Sequence, residues 1–438
     1  MKRINVVTLG FLGMMIPATF LFPATAKPYY GRVSLFGHAA SSTYDHGGNV
    51  FFSELILSLT FRSTETAKDG FEYGIDVRGA GYPSSEARSQ RLSIYDAFGG
   101  VRFGQGTFSF RLGQMWLNEI GGLGSLAGGV FEFRLPGKTS LGRFRAGVFG
   151  GYEPKILDVG FIPGVRKFGG YVSLEGAGAR RHVLAFVGLQ NTAVTERSVL
   201  ILTNYIPVGN SFFLYQSAEY DLVGPEGTGS GNLTYFYANA RYSPLPPLEL
   251  QATYHRGRSF DTRTIINDRL NGRPVDPRSV EGYLFESVGG RLTLRIPKGV
   301  SLYAGYSQDR NNLGDERSDR FSFGLYASNL LNTGLELGIS DWRMKSRAGS
   351  SYDSWSASLG KNISQNLYLE GFFSSSVSVF RLMGGTDFRI ESYPRTLRVG
   401  LSSILNIARV ASLQVTAERT TGDRYSEFRF LSGLSYRF

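Results

Sequence analysis

The chain has 438 residues, a formal net charge of +11 and no cysteine, so a disulfide, a lipid-modified cysteine and covalent c-type haem are all out of reach. Its 33 Phe, 24 Tyr and 56 Gly favour short strands and tight turns over helices. Beyond Phe22 no apolar run approaches the roughly 20 residues that a membrane helix requires, which excludes a helical membrane protein.

At the N-terminus, Lys2 and Arg3 precede an apolar run from Ile4 to Phe22. Ala24-Thr25-Ala26 then places small residues where a signal peptidase reads. The pattern predicts a signal peptide over 1–26 and a mature chain that begins at Lys27. A retained single anchor is the weaker reading, because the small-residue site follows the apolar run at the spacing that cleavage needs.

From there on the chain alternates. In "SELILSLTFR", Leu55, Leu57, Leu59 and Phe61 oppose Glu54, Ser58 and Arg62. In "FEYGIDVRGAGY", Phe71, Tyr73, Ile75 and Val77 oppose Glu72, Asp76 and Arg78. "NLTYFYANARY" sets Phe236, Ala238, Ala240 and Tyr242 against Asn239 and Arg241, and "YDSWSASLGK" sets Trp355, Ala357 and Leu359 against serines. About 22 strands of this kind are predicted, within a range of 18–22, and the pattern is weakest between 118 and 180.

The connections alternate too. Odd-numbered ones read as long, among them Ala40 to Asn49, Asn118 to Gly128, Glu153 to Arg166, Asp261 to Gly282 and Ser376 to Glu391. Even-numbered ones read as tight, as at Gly104-Gln105-Gly106 and Pro297-Lys298-Gly299. Long loops at one end and short turns at the other predict an all-β transmembrane antiparallel up-and-down barrel over 27–438. "VDPRSVEG" (275–282) and "LMGGTDFRIESYPR" (382–395) are the expected constriction or lid segments. "NEIGGLGSLAGG" reads as a plain surface loop in preference to a flexible segment folded inward.

The last strand, "EFRFLSGLSYRF", puts Phe430, Leu434, Tyr436 and Phe438 on one face and ends on an aromatic residue. In this it resembles the porin-like class of Gram-negative outer-membrane β-barrels, a resemblance that extends from about Tyr29 to the C-terminus. The resemblance implies residence in the cell outer membrane. It also implies contact with lipid and lipopolysaccharide, and recognition of these four residues as an insertion signal by the barrel-insertion machinery.

The face opposite the apolar one is expected to line a pore. By alternation it carries Arg62, Arg78, Arg102, Arg111, Arg143, Arg145, Arg241, Arg291 and Arg295 together with Glu54, Glu72 and Asp76. Arg134, Arg320, Arg398, Asp96, Glu132, Glu249, Glu336, Glu370 and Glu427 fall on the same face, and many of these charges should pair across strands. The arginine excess predicts a mildly anion-favouring lumen, with Arg143 and Arg145 on one inward row.

No catalytic, cofactor-binding or metal-binding set emerges. Of the four histidines, His255 reads as a lumen-lining polar residue with Ser259 nearby, and His38 and His46 with Asp45 make a poor metal cluster. The basic residues form no run or basic helix, so nucleic acid is not an expected partner. The expected function is passive diffusion of small polar or anionic solutes, with loops constricting the lumen. The alternative is a sheath around an exported polymer or a partner protein such as a multihaem cytochrome, because 22 strands enclose a wide space.

Overall fold

The computed structural model describes residues 29–438 apart from 46, 65–68, 85–89, 136, 138–141, 156–157, 177–179, 225–230, 260–264, 266–267, 269–270, 272, 275–281, 313–316, 348, 385–387 and 393. The side chains of 380–393 are likewise outside the description. The wall opens with β1 (Tyr29–Tyr44), β2 (Gly48–Ser63), β3 (Gly70–Gly81), β4 (Arg91–Phe103) and β5 (Phe108–Trp116). It continues through β6 (Ser125–Arg134), β7 (Arg143–Pro154), β8 (Phe161–Glu175), β9 (Arg181–Asn191), β10 (Val194–Val208) and β11 (Phe212–Val223). β12 (Asn232–Leu245), β13 (Leu248–Ser259), β14 (Tyr283–Ile296), β15 (Val300–Asn311), β16 (Arg317–Leu330) and β17 (Leu335–Ser346) follow. The last segments are β18 (Ser351–Asn362), β19 (Leu367–Gly384), β20 (Phe388–Ser392), β21 (Arg395–Ala408), β22 (Ala411–Gly422) and β23 (Tyr425–Arg437).

Every pairing is antiparallel, and β1 pairs on its other edge with β23, where Leu35 lies opposite Leu434 and Ser34 opposite Ser435. The sheet therefore closes on itself and leaves no open edge along the wall. β20 and β21 are two pieces of one strand. Both run along β19 in one register, with Phe380 opposite Ser392 and Val377 opposite Arg395. Between them Pro394 accepts a hydrogen bond from the Ser378 N–H at 3.0 Å but has no N–H to return, which interrupts the ladder. The barrel thus has 22 strands, as the alternation predicted.

The two faces are inverted relative to a soluble protein. Phe71, Leu112, Val148, Trp355, Leu401 and Phe428 are exposed on the outside, while Ser109, Arg102, Glu132, Lys167, Asp221 and Glu418 are buried on the inside. An apolar exterior around a closed wall is what hydrocarbon requires, since each backbone group is paired within the sheet. With strands about 4.8 Å apart and tilted by about 40°, 22 of them enclose a circle about 44 Å across between backbones.

Three connections differ from the sequence reading. β1 runs on to Tyr44, so Ala40–Asn49 is strand except for a tight turn. The span Ser376–Glu391 is mostly the hairpin of β19 and β20, which extends beyond the pairing of β19 with β18. In both, Ser and Thr occupy the two faces or the hairpin rises past its neighbours, so no apolar alternation marks the strand. The third is Asn118–Gly128, which belongs to the lumen. The segment 275–281 lies outside the described residues.

Candidate functional site: the luminal face

The cross-strand register puts all twelve predicted pore residues on the inner face. Many are consumed in pairs: Arg62 with Asp96, Arg102 with Glu72, Arg111 with Glu132 at 3.9 Å, and Arg295 with Glu249 at 2.6 Å. Arg145 reaches three carboxylates, Glu119, Glu132 (3.6 Å) and Glu175 (3.2 Å). Glu54 lies opposite His38, Asp76 opposite Thr60 and Arg78 opposite Ser58. Among the described residues no carboxylate stands within ion-pair distance of Arg78, Arg143, Arg241 or Arg291. Arg241 sits 5.5 Å from the Phe213 ring centroid and Arg291 lies 3.9 Å over Tyr303.

The inner face is lopsided. Across β5–β10 it is apolar: Met115, Leu126, Val130, Phe149, Val187, Val199 and Ile201 are buried there although they point away from lipid. What covers them is the β5–β6 connection, which turns inward as a short 3-10 helix over Asn118–Leu123 and lays Leu117 and Ile120 on this surface. The connection is closed at its base by a Leu117 N–H to Gly124 carbonyl bond of 2.8 Å, and it reverses at Gly121, whose φ of 55° suits a residue without Cβ.

Polar groups pin the segment at both ends. Lys167 Nζ donates to the Leu123 and Ser125 carbonyls at 2.9 and 2.8 Å, and its side chain is almost wholly buried. Glu119 accepts hydrogen bonds from Arg145 and, at 2.8 Å, from Arg181. Beneath it Tyr171 donates to Glu132 at 2.5 Å, so the carboxylates under the segment are matched by donors. The preference for a surface loop is therefore corrected in favour of the inward fold. The missed signal was in β9, where "HVLAFVGL" is apolar on both faces and so needs cover on the lumen side as well as lipid.

Beyond β13 the inner wall is smoother and rich in hydroxyls and glycine. Ser340 and Ser356 hydroxyls lie 2.7 Å apart, Ser402 and Thr416 3.0 Å apart, and Gly289 and Gly305 floor a shallow recess bordered by Arg291 and Trp342. Among the described residues no cluster of three His, Asp or Glu side chains is placed to hold a metal ion. The four residues expected to form an insertion signal sit at the seam between β23 and β1. Phe430, Leu434 and Tyr436 are exposed to the outside, and Phe438 exchanges two backbone hydrogen bonds of 3.0 Å with Gly31.

No family model and no curated protein matches the sequence. Among solved structures, the P pilus usher (PapC) translocation pore is similar with a TM-score of 0.51 at 13% identity, over 92% of this chain and 99% of that one. The fold is that of an outer-membrane β-barrel. Pseudomonas aeruginosa OpdQ (TM-score 0.44, 11% identity, 94% and 99% covered) and Acinetobacter baumannii OccAB4 (0.45, 10%, 95% and 100%) also resemble this barrel. The apolar exterior, the closed wall and the aromatic terminal strand place this barrel in a Gram-negative outer membrane.

Proposed function

We propose that the barrel is a passive outer-membrane channel for small polar or anionic solutes, narrowed by its own 117–124 segment. The observation that carries this reading is the inner face itself. One side is filled by a segment of the same chain, and the other is lined by hydroxyls, glycines and arginines, of which Arg291 has no carboxylate within ion-pair distance among the described residues. Such a lining supports water and hydrated ions while the docked segment reduces the bore.

The test is planar-bilayer recording of the purified barrel in potassium chloride, where stable single-channel steps are expected. A breadth of about 44 Å between backbones favours a second reading, a sheath around a polymer or partner protein. Silence in the bilayer, together with a stoichiometric protein co-purifying from native membranes, would replace the channel by the sheath. Export itself is proposed to follow cleavage after Ala26, and N-terminal sequencing of the outer-membrane form should begin at Lys27; an intact Met1 in the inner membrane would refute it.

A further inference from the structure

The inner face carries a row of aromatic rings that neither the ion-pair network nor the docked segment uses. Tyr205 on β10, Tyr215 on β11, Tyr237 on β12, His255 on β13 and Phe285 on β14 all point inward in the register. Each ring touches the next, with centroid separations of 4.8, 5.7, 5.9 and 5.5 Å. Their planes are inclined at 54°, 53°, 71° and 63°, so no ring stacks its face on a neighbour's. None of the five is buried, and Tyr205 is 39% exposed.

The row also travels. β10 ends, at Val208, at the mouth where β1 starts and β23 ends, and Tyr205 lies close to that end. β14 starts at the opposite mouth, at Tyr283, and Phe285 follows directly. Because strands in a barrel are tilted, a row crossing five of them climbs the wall, and it spans about 19 Å between the outer strands. Beside the rings stand Thr203, Ser217, Asn239 and Thr253, inward in the same register and uncharged. The docked segment reaches as far as β11, the strand that carries Tyr215: a methyl at Gly122 would lie 3.9 Å from Glu219 Oε1.

We infer that this row is a saccharide-binding track, taking a neutral oligosaccharide that slides between the two mouths. A pyranose ring offers C–H bonds on its faces and hydroxyls around its edge. The C–H faces match the negative faces of Tyr, His and Phe rings, and the edge hydroxyls match the hydroxyl and amide side chains alongside. An inorganic anion would use neither. The inference deepens the channel reading and rests on it for transport, though not for binding.

The experiment pairs calorimetric titration of the detergent-solubilised full-length barrel with bilayer recording, using maltohexaose and cellohexaose as probes. Saturable binding of at least one probe is expected, with matching block of the current. Binding should weaken about tenfold or more in Tyr215→Ala/Tyr237→Ala and stay within about threefold in Tyr215→Phe/Tyr237→Phe. His255→Ala, a single change, serves where the double variant fails to give a heat-modifiable barrel, and should weaken binding by about threefold. A conducting barrel that binds neither probe overturns the track and leaves the channel standing. Binding by a barrel that never conducts supports the track and removes the channel reading. Binding unchanged in the alanine variants overturns the track.

Discussion

At the scale of single residues, the closure of the barrel turns on a glycine under a ring. Phe438 lies over Gly31, and a Cβ at Gly31 would meet that ring at 2.3 Å, far inside van der Waals contact. The same ring neighbours Tyr29, Phe61 and Tyr436 at centroid distances of 6.4, 6.0 and 6.1 Å. Gly31→Val should expel the ring and forfeit these contacts, each worth about 0.5–1.5 kcal/mol. The folded fraction in semi-native electrophoresis should fall, and the urea midpoint should drop, as they should for Phe438→Ala. Gly99→Ala is the control: it also sits in the lipid-facing row, and a Cβ there meets nothing within 4 Å. Equal folding of the Gly31 and Gly99 variants would show that the terminal ring is dispensable for closure.

At the scale of elements, the docked segment is held by two separable devices, and each has its own signature. Lys167→Met keeps the bulk of the side chain but removes the donor shared by the Leu123 and Ser125 carbonyls. Leaving a buried carbonyl without a partner costs about 1–3 kcal/mol, so the segment should loosen while the wall stays closed. Amide exchange over 117–124 should speed up, and the open-channel current should become larger and noisier. Glu119→Gln should act in the same direction by releasing the segment from Arg145 and Arg181. Quiet, unchanged currents in both variants would mean that the segment does not limit the bore. The contrast between wall and segment also explains what the sequence made legible. Strands such as β2 and β12 announce themselves because lipid and lumen impose opposite chemistry on alternate residues, and the inner position of Arg62, Glu72 or Arg241 follows from that period alone. Where the chain covers its own inner wall, the period fails: Val183, Ala185 and Val187 read as apolar as Leu184 and Phe186, and a two-residue alternation cannot say which partner each face meets. Pairing is equally opaque, since alternation puts Arg145 inward without revealing Glu119, which arrives from a connection.

At the scale of the molecule, the distribution of paired and unpaired charge predicts selectivity. Arg145 is inward, yet it is half-buried among Glu119, Glu132 and Glu175, which match its charge. Arg241 on β12 and Arg291 on β14 face the lumen beside the Phe213 and Tyr303 rings, with no carboxylate within ion-pair distance among the described residues. A water-filled bore with low-dielectric walls focuses the field of such uncompensated charges along the permeation path, whereas locked pairs present little more than dipoles. Under a salt gradient across a planar bilayer, the reversal potential should carry the sign of anion preference. The preference should shrink as ionic strength rises from about 0.1 M to 1 M and the screening length falls from about 10 Å to 3 Å. Arg241→Gln/Arg291→Gln should weaken it at low salt without altering the folded fraction, because among the described residues neither guanidinium pairs with a carboxylate. A cation-preferring open channel in the unmodified protein would contradict this account of the lumen. Preference untouched by the double substitution would assign it to Arg78 on β3 and Arg143 on β7, elsewhere on the inner face, where the same exchange to glutamine tests it in turn.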